Sequence, residues 1–78
     1  MTKKEFIKKY SNHSIYAKNH SYYIVITDIL NSLNIKYTSD CSFKYFGDTS
    51  YNVYITTKNI NTIEYYKFIN DYNAIKNI

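Results

Sequence analysis

The only glycine in the chain, Gly47, falls beside Asp48 in the middle of CSFKYFGDTSYNVYITTK, residues 41–58, between two runs that alternate aromatic or β-branched with polar residues. Glycine takes up positive φ without a steric penalty, so the chain reverses there and the flanking runs read as an antiparallel hairpin. IKYTSDCSFKYF and SYNVYITT are its strands, with an earlier short strand possible over residues 35–38. Successive side chains of a strand point to opposite faces. Cys41, Phe43 and Tyr45 of the first strand and Tyr51, Val53 and Ile55 of the second are therefore expected against a helical layer. Lys44, Phe46, Asn52, Tyr54 and Thr56 are left for the other face. Two rings, Phe46 and Tyr54, flanked by Lys44 and Lys58, are then expected in water, where they suit a protein interface or a stacking platform for unpaired bases.

The remaining elements are read from caps and periodicity. Thr2 with Glu5 has the capping-box spacing, so a helix starts there, with Phe6, Ile7 and Tyr10 as a narrow apolar stripe. SNHSIYAKNH, residues 11–20, is polar and without period, and reads as a connection with room for a helical turn around residues 15–18. SYYIVITDILNSLN carries Tyr22, Ile26, Ile29, Leu30 and Leu33 at helical spacing behind Ser21 as N-cap, although YYIVIT would also suit a buried strand. The helix, ending near Asn34, is the preferred reading. Asn61 is expected to cap a last helix, with Glu64 completing a box-like start and Tyr65, Phe68, Ile69, Tyr72 and Ile75 forming its apolar face. The fold class expected is α+β: two N-terminal helices, a small antiparallel sheet of two or three strands with a hairpin around Gly47-Asp48, and a C-terminal helix packed on one sheet face.

At 78 residues the chain forms a single domain, 1–78, with a thin stability margin, because so small a domain buries only about 60 to 65% of its unfolded surface. Domains of this size usually need a staple. Cys41 is the single cysteine and makes an internal disulfide impossible; His13, His20 and Cys41 do not have zinc-ligand spacing. No metal or cofactor is expected, and a homodimer or a partner-stabilised fold supplies the missing support. No apolar run is long enough to span a membrane and the N-terminus lacks a signal-peptide pattern, which points to the cytoplasm of a bacterial host cell.

Composition needs correcting before the rings are counted. Lys, Asn, Ile and Tyr make up over half of the chain, arginine and proline are absent, and all four abundant residues have codons of A and T alone. Part of the tyrosine excess is thus the signature of an AT-rich gene, as in low-GC bacteria and their phages. Charge is unevenly placed: Lys3, Lys4, Lys8 and Lys9 against Glu5 put most of the formal +4 on the first helix. A basic helix of this kind is a solvated face or a phosphate-binding one.

Catalytic patterns are missing. Cys41 with His13 or His20 lacks a third orienting group, Asp40, Asp48 and Glu64 have no cation-loop spacing, and one glycine cannot build a phosphate cradle. The chain is therefore read as no enzyme. TKKEFIKKYSNHS, followed by a second helix, resembles the helical half of the HU family of bacterial DNA-bending proteins over about the first 33 residues. The glycine-phenylalanine signature and the arginine- and proline-bearing arm of that family are absent, so no DNA-contacting role carries over. In size, composition and want of catalytic groups the chain resembles the small inhibitors that phages and mobile elements direct at host or defence machinery, anti-CRISPR proteins among them. The expected function is a small non-enzymatic binding protein that occupies the surface of a larger protein or nucleoprotein complex. The alternative is direct DNA or RNA binding through Lys3, Lys4, Lys8 and Lys9 and the hairpin rings.

Overall fold

A computed structural model of the protein describes residues 1–43, 49–56 and 61–76. In chain order it contains α1 (Lys3–Tyr10), β1 (Ser14–Ala17), α2 (His20–Ser32), β2 (Thr38–Phe43), β3 (Thr49–Tyr54), β4 (Thr62–Ile63) and α3 (Tyr65–Lys76). The class is α+β, with three helices and a four-stranded mixed sheet of order β2-β3-β1-β4 among the described residues. β2 pairs antiparallel with β3, β3 antiparallel with β1, and β1 parallel with β4. Lys44, Tyr45, Phe46, Gly47, Asp48 and Lys58 lie outside the described residues, so the hairpin is seen in its strand pairing and not in its turn.

α1 starts as its capping box dictates: the Thr2 hydroxyl accepts from the Glu5 amide at 3.2 Å and the Glu5 carboxylate accepts from the Thr2 amide at 3.3 Å. These bonds from Thr2 hold the Glu5 carboxyl below its ordinary range. α2 is a helix, which settles the YYIVIT ambiguity, but its N-cap is Asn19 instead of Ser21. The Asn19 Oδ1 accepts from the Tyr22 amide at 3.0 Å, and the chain has to enter the helix there because it leaves β1 only two residues earlier.

The far end of α2 is built from a residue whose φ is positive. Asn34 has φ 59°, its amide donates to the Asn31 carbonyl at 3.0 Å, and the Ile35 amide reaches back to the Leu30 carbonyl at 2.9 Å. This is a Schellman closure with asparagine where glycine is usual, and the buried Ile35 packs in the same core as Leu30. Residues 35–37 accordingly close the helix and make no strand.

β1 replaces the expected connection and its helical turn. Residues 14–17 hold an interior strand, with Ile15 opposite Val53 on one side and Ile63 on the other. β4 likewise displaces the expected cap at Asn61: Thr62 and Ile63 are taken into the sheet by β1, and α3 begins at Tyr65 with the Phe68 amide bonded to the Glu64 carbonyl at 3.2 Å.

One sheet face carries Ile15, Ala17, Val53 and Ile63, and onto it fold Ile26 and Leu30 of α2 and Phe68 of α3. α1 closes the core from the side. Phe6 and Tyr10 meet Phe68 at ring-centre distances of 5.5 and 5.3 Å, the latter edge-on. The Tyr10 hydroxyl donates to Asp71 Oδ2 at 2.6 Å and Lys9 Nζ pairs with the same oxygen at 2.7 Å. Burial, then the Asp71 carboxylate, raises the Tyr10 hydroxyl far above the ordinary phenol value.

The hairpin's burial departs from expectation at both strands. Val53 is buried and Tyr51 and Ile55 are half-buried against the core, as alternation predicts, but every residue of β2 is exposed, Cys41 and Phe43 included. Cys41 and Phe43 share the helix-side face with Val53, yet the helical layer stops short of them: the Tyr23 hydroxyl reaches only as far as Ser39 Oγ, at 3.2 Å. Tyr54 errs the other way. It stands on the opposite face but is only 3% exposed, its hydroxyl donating to Asp40 Oδ2 at 2.5 Å. Burial and that carboxylate push it up to about 12.

Candidate docking surface

The cap at Asn19 decides where the surface rings go. Starting α2 at His20 places Tyr22 and Tyr23 in its first turn, about 100° apart around the axis, so they leave the helix on two flanks. Tyr22 turns to α3. Its ring stacks on Tyr65 at 4.1 Å with an interplanar angle of 16°, and its hydroxyl meets that of Tyr66 at 3.0 Å. Lys18 Nζ stands 5.0 Å from the Tyr22 ring centre. Tyr23 turns to the sheet, stacking on Tyr51 at 4.4 Å, and His20 Nδ1 lies 3.1 Å from the Tyr51 hydroxyl.

On the outer side of α2, turned away from the core-facing Ile26 and Leu30, Ile24 and Val25 are exposed; Tyr66, beside the first stack, is 64% exposed. Tyr16, Lys18, Tyr22, Glu64, Tyr65 and Tyr66 surround an open cleft of about 290 Å³. The hydrogen bond to Tyr66, with help from the Lys18 ammonium, holds the Tyr22 hydroxyl below the ordinary phenol value, and the same bond raises Tyr66. The surface therefore offers ring edges, two aliphatic side chains, polarised hydroxyls and an ammonium. Those are the groups that anchor protein interfaces, where tyrosine is enriched because it adds area at little entropic cost.

The residues singled out from sequence are distributed differently. Tyr54 is buried in its bond to Asp40, and Lys44, Phe46 and Lys58 lie outside the described residues. Of the basic helix, Lys3, Lys4 and Lys8 are exposed, whereas Lys9 is engaged by Asp71. The ring surface carried a sequence signal that went unread: the doublets Tyr22-Tyr23 and Tyr65-Tyr66 each stand in the first turn of a helix, where successive side chains diverge by about 100° around the axis, so the two rings of a doublet are sent in different directions. Among the described residues no three of His, Cys, Asp and Glu gather as a set of metal ligands, and no helix is long and apolar enough to cross a membrane.

No protein-family model, no curated protein and no solved structure matches the chain.

Proposed function

We propose that this chain is a small non-enzymatic binding protein that acts by occupying a surface of a larger protein, in the manner of phage-encoded inhibitors of host or defence machinery such as anti-CRISPR proteins. The observation that carries this reading is the ring and aliphatic surface at the starts of α2 and α3, with Tyr66 and Ile24 standing out from it. The setting rests on composition: an AT-rich gene, small size and no catalytic constellation. Direct nucleic-acid binding is favoured by one observation, the three exposed lysines of α1, but the ring surface argues against base stacking because Tyr22 already lies against Tyr65 and under Lys18.

The test compares wild type with two variants as bait in a low-GC bacterial lysate and on a generic oligonucleotide. Tyr66→Ala together with Ile24→Ser should leave the fold within about 0.5 kcal/mol of wild type, both side chains being exposed. The same change should weaken the captured protein's binding by about 2 kcal/mol, roughly 30-fold. Lys3→Gln, Lys4→Gln and Lys8→Gln together should slow association without abolishing it. Salt-sensitive oligonucleotide binding that disappears with the lysine variant and survives the ring variant would replace this reading with the nucleic-acid one.

A further inference from the structure

β2 is an edge strand, and the described residues pair it on its β3 side only. The opposite edge of the sheet, β4, is two residues long. An exposed edge is a template for another strand, and proteins usually blunt it with lysine, proline or brevity. β2 has none of these. Its sequence, TSDCSF, is six residues long and exposed throughout, with Phe43 at 80%. Its one charge, Asp40, is occupied by the Tyr54 hydroxyl of the neighbouring strand.

We propose that β2 is a self-pairing edge, which joins antiparallel to β2 of a second copy about a two-fold axis at Cys41 and fuses two four-stranded sheets into one. Symmetry restricts the register. Two identical antiparallel neighbours are related by an axis normal to the sheet, so a single residue must lie opposite itself, and residues on one face stay on one face. Within residues 38–43 only centres at Asp40 and Cys41 engage five residues of each strand. A centre at Asp40 sets two carboxylates directly opposite, which is destabilising. The centre at Cys41 instead places Asp40 opposite Ser42 of the second copy and Ser39 opposite Phe43 of the second copy. It also keeps both helical layers on the same side, over the shelf where Cys41 and Phe43 lie uncovered beyond Tyr23. A foreign strand has no such self-match, and the chain itself is always present at its own concentration. This proposal is independent of the ring surface, so Tyr66→Ala with Ile24→Ser should dimerise as wild type does.

The register makes the thiols a ruler. Directly opposed antiparallel residues have Cα atoms about 4.5 to 5.5 Å apart, inside the span a disulfide needs. In a glutathione redox buffer the two Cys41 thiols should lose two protons and two electrons to glutathione disulfide, which leaves as two molecules of glutathione, and a covalent dimer should accumulate. In a Cys41→Ser background, Ser39→Cys alone should give no covalent dimer, because equivalent positions are then offset by four residues, about 13 Å. Mixing Ser39→Cys with Phe43→Cys chains should restore a cross-link between unlike partners. Under reducing conditions, wild type should sediment as a monomer–dimer equilibrium. Cys41→Lys, which opposes two ammonium groups, should lose the dimer while keeping its far-UV circular dichroism. A reduced wild type that remains monomeric to its solubility limit overturns the proposal, even if β2 captures a different protein's strand. So does a covalent dimer that forms as readily from position 39 alone as from Cys41.

Discussion

Tyr10 shows how one buried hydroxyl ties the ends of the chain together. Its ring is fully buried between Phe6 and Phe68, and its hydroxyl spends its proton on Asp71, which Lys9 also holds. Asp71 gains and loses by this: partial burial would raise its carboxyl, but the bonds from Lys9 and Tyr10 win and hold it below the ordinary value. The two shifts act at opposite ends of the pH scale. Tyr10 and Tyr54 keep their protons in the fold above the pH at which the unfolded chain loses them, so the stability they contribute is complete below about pH 10 and falls as pH rises from there. Asp71 is more acidic folded than unfolded, so its contribution is present at neutral pH and is lost as pH falls below about 4. Tyr10→Phe should cost about 1 to 2 kcal/mol at neutral pH and make the alkaline decline shallower, leaving the share of Tyr54 and of the raised Tyr65 and Tyr66 hydroxyls. Urea midpoints between pH 7 and 11 measure this; an unchanged alkaline slope in the variant would show that Tyr10 is not its source.

Elements differ in how far they can be written in local sequence. The Schellman closure of α2 is local, and its prediction is correspondingly sharp: at φ 59°, Asn34→Gly should be neutral or slightly stabilising, whereas Asn34→Val should cost about 1 to 2 kcal/mol. Equal thermal midpoints for the two variants would mean that Asn34 is not held in that conformation. α1 was legible for the same reason, through its capping box and apolar stripe, and α2 and α3 through their 3.6-residue stripes, which are properties of a few neighbouring residues, whereas the caps expected at Ser21 and Asn61 were displaced by β1 and β4. β1 and β4 were not. Four residues, Ser14–Ala17, and two, Thr62–Ile63, are too short for alternation to register, and each is a strand only because the other and β3 lie alongside. The hairpin was half legible. Alternation assigned Val53 and Cys41 to one face correctly, but whether a helix lies above a given stretch of that face is decided by where α2 begins and points, so Val53 is buried and Cys41 is not. The docking surface was hidden by the same cause, because its rings come from β3, α2 and α3 and meet only once Asn19 has fixed the start of α2.

Across the whole molecule the rings divide into two populations with different work. Phe6, Tyr10 and Phe68 form a buried cluster that joins the first helix to the last, while Tyr22 with Tyr65 and Tyr23 with Tyr51 form half-buried stacks at the margin of the core, with Tyr66 exposed edge-on beside the first. The buried cluster lets a chain with a single cysteine, and so no internal disulfide, close on itself, because it ties residue 6 to residue 68 across the same gap that β1 and β4 bridge in parallel. Such contacts are distant in sequence, so closing the loop costs entropy that only a well-filled core offsets. Phe68 is central to that balance: it is fully buried and touches both Phe6 and Tyr10. Phe68→Ala should remove about 3 to 5 kcal/mol, a large part of what a domain this small possesses. Guanidinium titration followed by far-UV circular dichroism should then show the variant unfolded, or nearly so, before denaturant is added. Tyr65→Ala, three residues away on the same helix but in the half-buried stack with Tyr22, should lower the stability by only about 1 kcal/mol. A Phe68→Ala variant as stable as Tyr65→Ala would mean that α3 contributes its rings to the surface alone and that the fold closes without it.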